Sequence, residues 1–576
     1  MNPDSNSESK QTFKRKKQRS FITKVKKRFK SGNFCKGVRV DSVEHDYFVR
    51  IFELDRNFNG STEEKKVFAN NALAQTEGKE VNYSSNQLIS RVIENLLPLA
   101  SDSALERFFD AFASNLRPIC VHEFASHVLQ TVMIVAAQHS QEVSDDDSKH
   151  QTKCQIWLDK VARFLLNNIE EFMSDSFANP CLRTAMFCLA GVPQLDKHFK
   201  KEEESSIESK VTSAKVSDEF LELLAEFYTR ISKWPQFKSK DFLENHLSSG
   251  YIQALLQVLK AAGQKHLYKQ LFTQILNDCF PNGMSAMSPS TLAVLEVMIG
   301  HSKPKPLRTL YKKVLQPRLV EMSSAQIGNI AIQKFISSCS DSELFTEVMD
   351  QLRPHFSSVN KNVLVSLAVG CRRLQTGQSD FVQSLMKMLN CDNASGDQKQ
   401  LVSAVLSLQP LPHDKPTTPT RPGSQVLQAM LHFQKPIKFV NSLLAHEPAE
   451  LAVVLSSIYG SFITKDFLQS ELISEKNKQK LIKKLLGHYV ELAQTKFGSR
   501  SFDDLWKAAD DKNKVAIVKD LAPSHSQLLA SHTGQFVATK VYLAEFKNLG
   551  VDEWTKRVKR QQSAQKLFSP LIGNVK

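Results

Sequence analysis

The chain has 576 residues, a hydrophobic fraction of 41% and a formal net charge of +15. That length exceeds what one compact core organises, so several domains or a repeat array are expected. Nine cysteines without a C-x-x-C pair give no zinc site or disulfide framework, and no apolar run reaches the roughly 18 residues of a membrane span. The start is polar and charged, unlike a secretory signal, and a reducing nuclear compartment fits best.

The charge is concentrated at the start. Met1 to Val40 holds about 13 Lys or Arg against about 2 acidic residues, leaving roughly +4 for the remainder. Lys14-Arg15-Lys16-Lys17 and Lys24-Val25-Lys26-Lys27-Arg28 read as a nuclear or nucleolar address or a phosphate-binding tail; a merely solubilising tail is the plainer alternative. Beyond it the apolar residues are Leu-, Phe- and Ala-rich at helical spacing, so the predicted fold class is all-α.

One pattern then recurs, a small or polar residue, an apolar pair and a second polar residue, often with glycine just ahead. It begins at Ser90-Arg91-Val92-Ile93-Glu94 and returns at Ser126-His127-Val128-Leu129-Gln130 and Asn179-Pro180-Cys181-Leu182-Arg183. Weaker forms start at Gln253 (with Gln257) and Leu292 (with Glu296). The clearest is Gly328-Asn329-Ile330-Ala331-Ile332-Gln333-Lys334, and a degenerate form lies near Val363. Ser424-Gln425-x-x-Gln428, Ser461-Phe462-x-x-Lys465, Ser499-Arg500-x-x-Asp503 and Gln535-Phe536 follow.

The first positions stand about 36, 53, 74, 39, 37, 34, 61, 37, 38 and 36 residues apart, mostly near a period of about 37. A unit of that length without strand signals is a pair or triplet of short helices, which buries its apolar face only by stacking on its neighbours into a curved α-solenoid. The three long intervals hold insertions: Ser144-Asp145-Asp146-Asp147-Ser148, Lys200-Lys201-Glu202-Glu203-Glu204, and the proline-rich Pro410 to Pro422. Each reads as a loop off the array, the acidic ones as solvated or as contact points for partners.

Residues four apart share one helix face, so Asn329 and Gln333 form a donor/acceptor pair suited to a base edge. A polar pair on a helix is commonly a solvated face, and small residues commonly serve close packing; the recurrence is what favours a ladder. At Gln253, Leu292 and Val363 the packing reading is preferred.

Gly328-Asn329-x-x-x-Gln333-Lys334, Gly423-Ser424-x-x-x-Gln428 and Ser126-His127-x-x-Gln130 resemble the RNA-reading helices of pumilio (PUF) repeats. That resemblance implies that the pair contacts a base edge and the residue after its first member stacks between bases. Carried over, Asn329 and Gln333 resemble a uracil reader, with Ile330 at the stacking place. Ser90, Arg91 and Glu94 resemble a guanine reader; Ser499, Arg500 and Asp503 are similar, with a shorter acid. Ser126 with Gln130 and Ser424 with Gln428 resemble adenine-type readers, with His127 and Gln425 stacking. Asn179, Arg183, Ser461, Phe462, Lys465, Gln535 and Phe536 occupy the matching places.

About eleven copies with long insertions depart from the eight-unit pumilio pattern and resemble the nucleolar pumilio-like family of small-subunit ribosome biogenesis, the nucleolar protein nine type. The basic arm, Cys371-Arg372-Arg373-Leu374, and Trp506 and Trp554 around the last repeats agree. The resemblance covers roughly residues 45 to 560. It implies single-stranded or partly structured precursor rRNA as ligand, near the 3′ end of the 18S segment, with pre-ribosomal small-subunit factors as partners. The expected protein is a monomer in the nucleolus, without cofactor, metal or membrane. The expected organisation is a basic arm over 1–44, repeats over 45–300 and 301–555, and a basic tail over 556–576. No glycine-rich phosphate loop, H-E-x-x-H, nucleophile elbow or metal-carboxylate cluster is found, so no enzyme is expected. The alternatives are an armadillo/HEAT-like adaptor for proteins and a pumilio-type mRNA regulator.

Overall fold

In the computed structural model the described residues are 36–141, 148–192, 216–239, 241–280, 288–391, 400–410 and 419–572. Almost all of the basic arm, and most of the three insertions, lie outside them. Among the described residues every regular element is a helix, and a single isolated bridge joins Gly37 and Asn86. No single described helix is long and apolar enough to cross a membrane.

The eleven pattern positions all fall on helices, named here α1 (Ile89–Leu96), α2 (Ala125–His139), α3 (Ala178–Leu189), α4 (His246–Ala261), α5 (Pro289–His301), α6 (Gly328–Ser338), α7 (Lys361–Leu374), α8 (Arg421–Met430), α9 (Ile458–Gln469), α10 (Gly498–Ala508) and α11 (His532–Lys540). The chain forms two compact units that divide after Pro281, ahead of the boundary at 300 read from the sequence, so α5 belongs to the second. In the first unit α1 packs on α2, α2 on α3 and α3 on α4; in the second, α5 to α11 pack side by side in chain order.

The repeat is a helix triplet, as Glu475–Lys484, Tyr489–Gln494 and α10 illustrate. Its third helix starts against the second. A methyl group on Gly460 would stand 1.9 Å from Val454 O, and one on Gly423 2.1 Å from Leu406 O, so only glycine fits there. Glycine thus permits the close approach of the third helix to the second.

Burial on both sides of each triplet supplies the core. Phe335 stacks on Tyr311 from the first helix of its repeat, with centroids 5.3 Å apart. Arg373 on α7 donates to the carbonyls of Ile336 (3.0 Å) and Cys339 (2.6 Å), closing the C-terminus of α6. At the far end Trp554 is buried, its Nε1 donating to Val541 O at 2.8 Å, and its ring lies edge-on to Trp506.

Candidate nucleic-acid interface

The start of each pattern helix is set by a side chain four residues ahead of the first pattern position. Asn86, His122, Asp175, Asn245, Ser288, Asn360, Thr420, Ser457, Thr495 and Ser531 each accept a hydrogen bond from a backbone N–H two or three residues on. Such caps satisfy amide groups that the helix leaves unpaired and contribute about 1 kcal/mol each. Only α6 departs, with Ala325 at that place.

The cap register corrects two pattern assignments. On α4 the cap is Asn245, so the first position is Ser249, one turn before the expected Gln253. Gln253 Nε2 donates to the buried Ser249 Oγ at 3.1 Å, as Gln428 Nε2 does to Ser424 Oγ at 2.8 Å. On α7 the cap Asn360 places the first position at Leu364, not Val363. Ser249 and Gly250 were missed because Gln253 and Gln257 repeat the polar spacing one turn on; Asn245 was the available signal.

The first pattern residue is buried on most of these helices, Ser90, Ser126, Asn179, Asn329, Ser424 and Ser461 among them. Asn179, Asn329, Ser424 and Ser461 are tied to backbone. Asn329 Nδ2 donates to Ala325 O (2.6 Å) and Gln326 O (2.8 Å), while its Oδ1 accepts from Gln333 Nε2 at 2.7 Å. Asn329 therefore orients Gln333, which keeps its carbonyl and one N–H to offer outward. Ser424 Oγ donates across to Tyr459 O on α9, and Asn179 Nδ2 to Leu247 O on α4. Ser461 Oγ turns back to Ile458 O. Ser90 Oγ, Ser126 Oγ and Asn179 Oδ1 are buried with no hydrogen-bond partner among the described residues.

The second pattern residue is half-buried where it is Glu94, Gln130, Arg183, Gln333, Gln428 or Asp503. Gln130 Oε1 accepts from Thr184 Oγ1 on α3 at 3.2 Å. Burial pushes the Glu94 carboxyl up to about 7, against the opposing pull of Arg91. Asp503 is held by Lys540 on α11 at 2.6 Å, so Ser499 and Asp503 present a neutralised acid rather than a second Glu94.

Between the two lies the exposed residue. Ile330 is 52% exposed, Phe462 47% and Phe536 66%, with Arg91, His127 and Arg500 exposed at the same position. These flat or apolar groups face solvent on helices whose apolar residues are mostly buried. Burial, then the Arg91 charge, keeps the His127 imidazole below its usual range. Arg500 leans on Phe497, 5.6 Å from its ring centre. Ser499, Asp503, Gln535, Phe536 and Lys540 line one open groove between α10 and α11, although Gln535 Nε2 is drawn back to Leu529 O. The exposed Lys334 and Lys465 add charge next to the ladder.

Alternating planar groups and amide or carboxylate edges, one set per helix, are a platform for stacked bases in an α-helical repeat protein of the PUF class. The NOP9-like PUF repeat domain matches residues 78–536. The chain belongs to that family, and so is a non-catalytic RNA-binding protein.

Among relatives, Nucleolar protein 9 of Mus musculus is 25% identical over 549 residues, covering 87% of this chain and 86% of that protein. Pumilio homolog 23 of Arabidopsis thaliana is 21% identical over 584 residues, covering 93% of this chain and 75% of that one. In fold, the chain resembles the structure of APUM23-GGAGUUGACGG, with a TM-score of 0.70 at 20% identity over 90% of this chain and all of that one. Family membership sets aside the armadillo/HEAT-like adaptor.

Proposed function

We propose that the protein binds precursor ribosomal RNA near the 3′ end of the 18S segment. In this reading it acts in the nucleolus as a monomer, in small-subunit biogenesis, alongside pre-ribosomal factors. The observation that carries the RNA-reading chemistry is the ladder itself: Gln333 oriented by Asn329, Gln428 by Ser424 and Gln253 by Ser249, with exposed plates between them. Glu94 supplies an acceptor for a guanine edge, and Ile330, Phe462, Arg500 and Phe536 supply the stacking surfaces. The ribosomal destination is supported by the names of the relatives, and occupancy of such a segment would control its processing by a separate nuclease.

The test is crosslinking of the protein to RNA in cells, followed by sequencing of the recovered fragments. A sharp peak at the 3′ end of the small-subunit precursor is expected. Peaks spread over messenger 3′ ends would keep the reading chemistry and move the function to mRNA control. Enrichment elsewhere in ribosomal RNA would overturn the 18S assignment.

A further inference from the structure

At two junctions the first pattern residue of one helix is tied to the start of the next. Asn179 bonds to Leu247 O and Ser424 to Tyr459 O, each two residues before the first position of the next helix. The second pattern residue of one helix therefore stands beside the exposed plate of the next, as Asp503 and Phe536 do in their shared groove. His127, Pro180, Ile330, Phe462, Arg500 and Phe536 fill that place on their helices. On α4 it is Gly250, which has no side chain.

The vacancy is filled from the neighbour. A methyl group on Gly250 would stand 3.1 Å from Arg183 Nη1 and 3.6 Å from Arg183 Cζ. Arg183 is the second pattern residue of α3, where the sequence pattern made it a base-edge reader beside Asn179. Its guanidinium instead lies over Gly250, and Asn179 anchors the junction between the two helices. We infer that Arg183 serves as the stacking plate of the α3–α4 step, supplied by the preceding repeat, and that Ser249 and Gln253 read the base lying on it. This rests on the RNA-binding reading above. Guanidinium planes stack on any base, so Arg183 supplies affinity there and Gln253 supplies choice.

The experiment selects RNA from a random 20-nucleotide pool on the full-length protein, then measures affinity for the best sequence and its single-base variants. Arg183→Ala should weaken binding about tenfold, by a similar factor whichever base occupies the α3–α4 step. Arg183→Lys should weaken it comparably, because an ammonium has no plane. Returning the plate in cis, as Arg183→Ala with Gly250→Arg, should restore most of the affinity; the added side chain enters the space that Arg183 vacates. Gln253→Ala should change the base preference at one position.

Several results would overturn the inference. Arg183→Lys matching the parent would make the contact a phosphate pairing, and loss confined to one base would make Arg183 a reader. An unaffected Arg183→Ala, or a double variant with no recovery, would remove the borrowed plate. Failure of the parent to enrich any sequence would instead defeat the RNA-binding reading, and this inference with it. Circular dichroism of each variant checks that the helices remain.

Discussion

Glu94 should make RNA affinity depend on pH in the physiological range. Its carboxyl ordinarily titrates at 4.5 and is pushed up to about 7 by burial, with Arg91 opposing. A guanine edge offers two donors, so contact requires the ionised, acceptor-only form. With a free-state value of about 7, roughly a tenth of the protein is ionised at pH 6 and roughly nine tenths at pH 8. If binding holds the carboxylate ionised, Kd at pH 6 should exceed that at pH 8 about tenfold, or about 1.4 kcal/mol.

The assay is fluorescence anisotropy with a labelled RNA at constant ionic strength from pH 6 to 8. Burial, then the Arg91 charge, lowers the His127 value, which shifts its own charging toward the acid end of that window, and Glu94→Gln separates the two groups. Glu94→Gln should flatten the profile. A flat profile for the parent, or a slope that survives Glu94→Gln, would refute the assignment. Folding carries the companion signature. Because the folded-state value is raised, the protonated group's stability is fully present below about 4.5 and is lost as pH rises through about 7. The parent should therefore lose stability relative to Glu94→Gln across that window.

Replacing Asn329 and Gln333 together by alanine should lose about 1–3 kcal/mol for the preferred RNA and little for one altered at that base; equal losses would mark the pair as structural. Phe536→Ala should weaken binding by about 1–3 kcal/mol without changing base preference, and leave thermal stability unchanged because the ring is 66% exposed. Affinity should fall with salt, and removing Lys334 and Lys465 should flatten the logarithmic slope by about 1.4 if each neutralises one phosphate of a single strand; an unaltered slope would place both away from the backbone. Gly460→Ala should destabilise by about 3 kcal/mol, the upper end for overpacking, since its methyl group would overlap Val454 O at 1.9 Å; chemical denaturation reads the effect.

Much of the ladder was legible because small residues followed by an apolar pair have one packing solution on a helix wedged between neighbours. Asn329 with Gln333, and Ser424 with Gln428, needed nothing further. Ser249 did not stand out, because Gln253 is equally well placed to begin a pair or to end one; Asn245 decides by capping the helix. The hold of Lys540 on Asp503 and the reach of Arg183 over Gly250 join side chains from different repeats, and periodicity carries no information about either. Residues 1–35, which hold most of the excess charge, and most of each long insertion lie outside the described residues.

The cross-helix bonds of Ser424 and Asn179 bear on reprogramming. The Ser424 hydroxyl that orients Gln428 is also mortar for the adjoining unit, so the recognition alphabet is not modular there. Exchanging Ser424 for another residue to specify a different letter would disturb the turn that begins α9, and with it the placement of Phe462. Specificity redesign here has to be carried out on adjoining repeats as linked pairs.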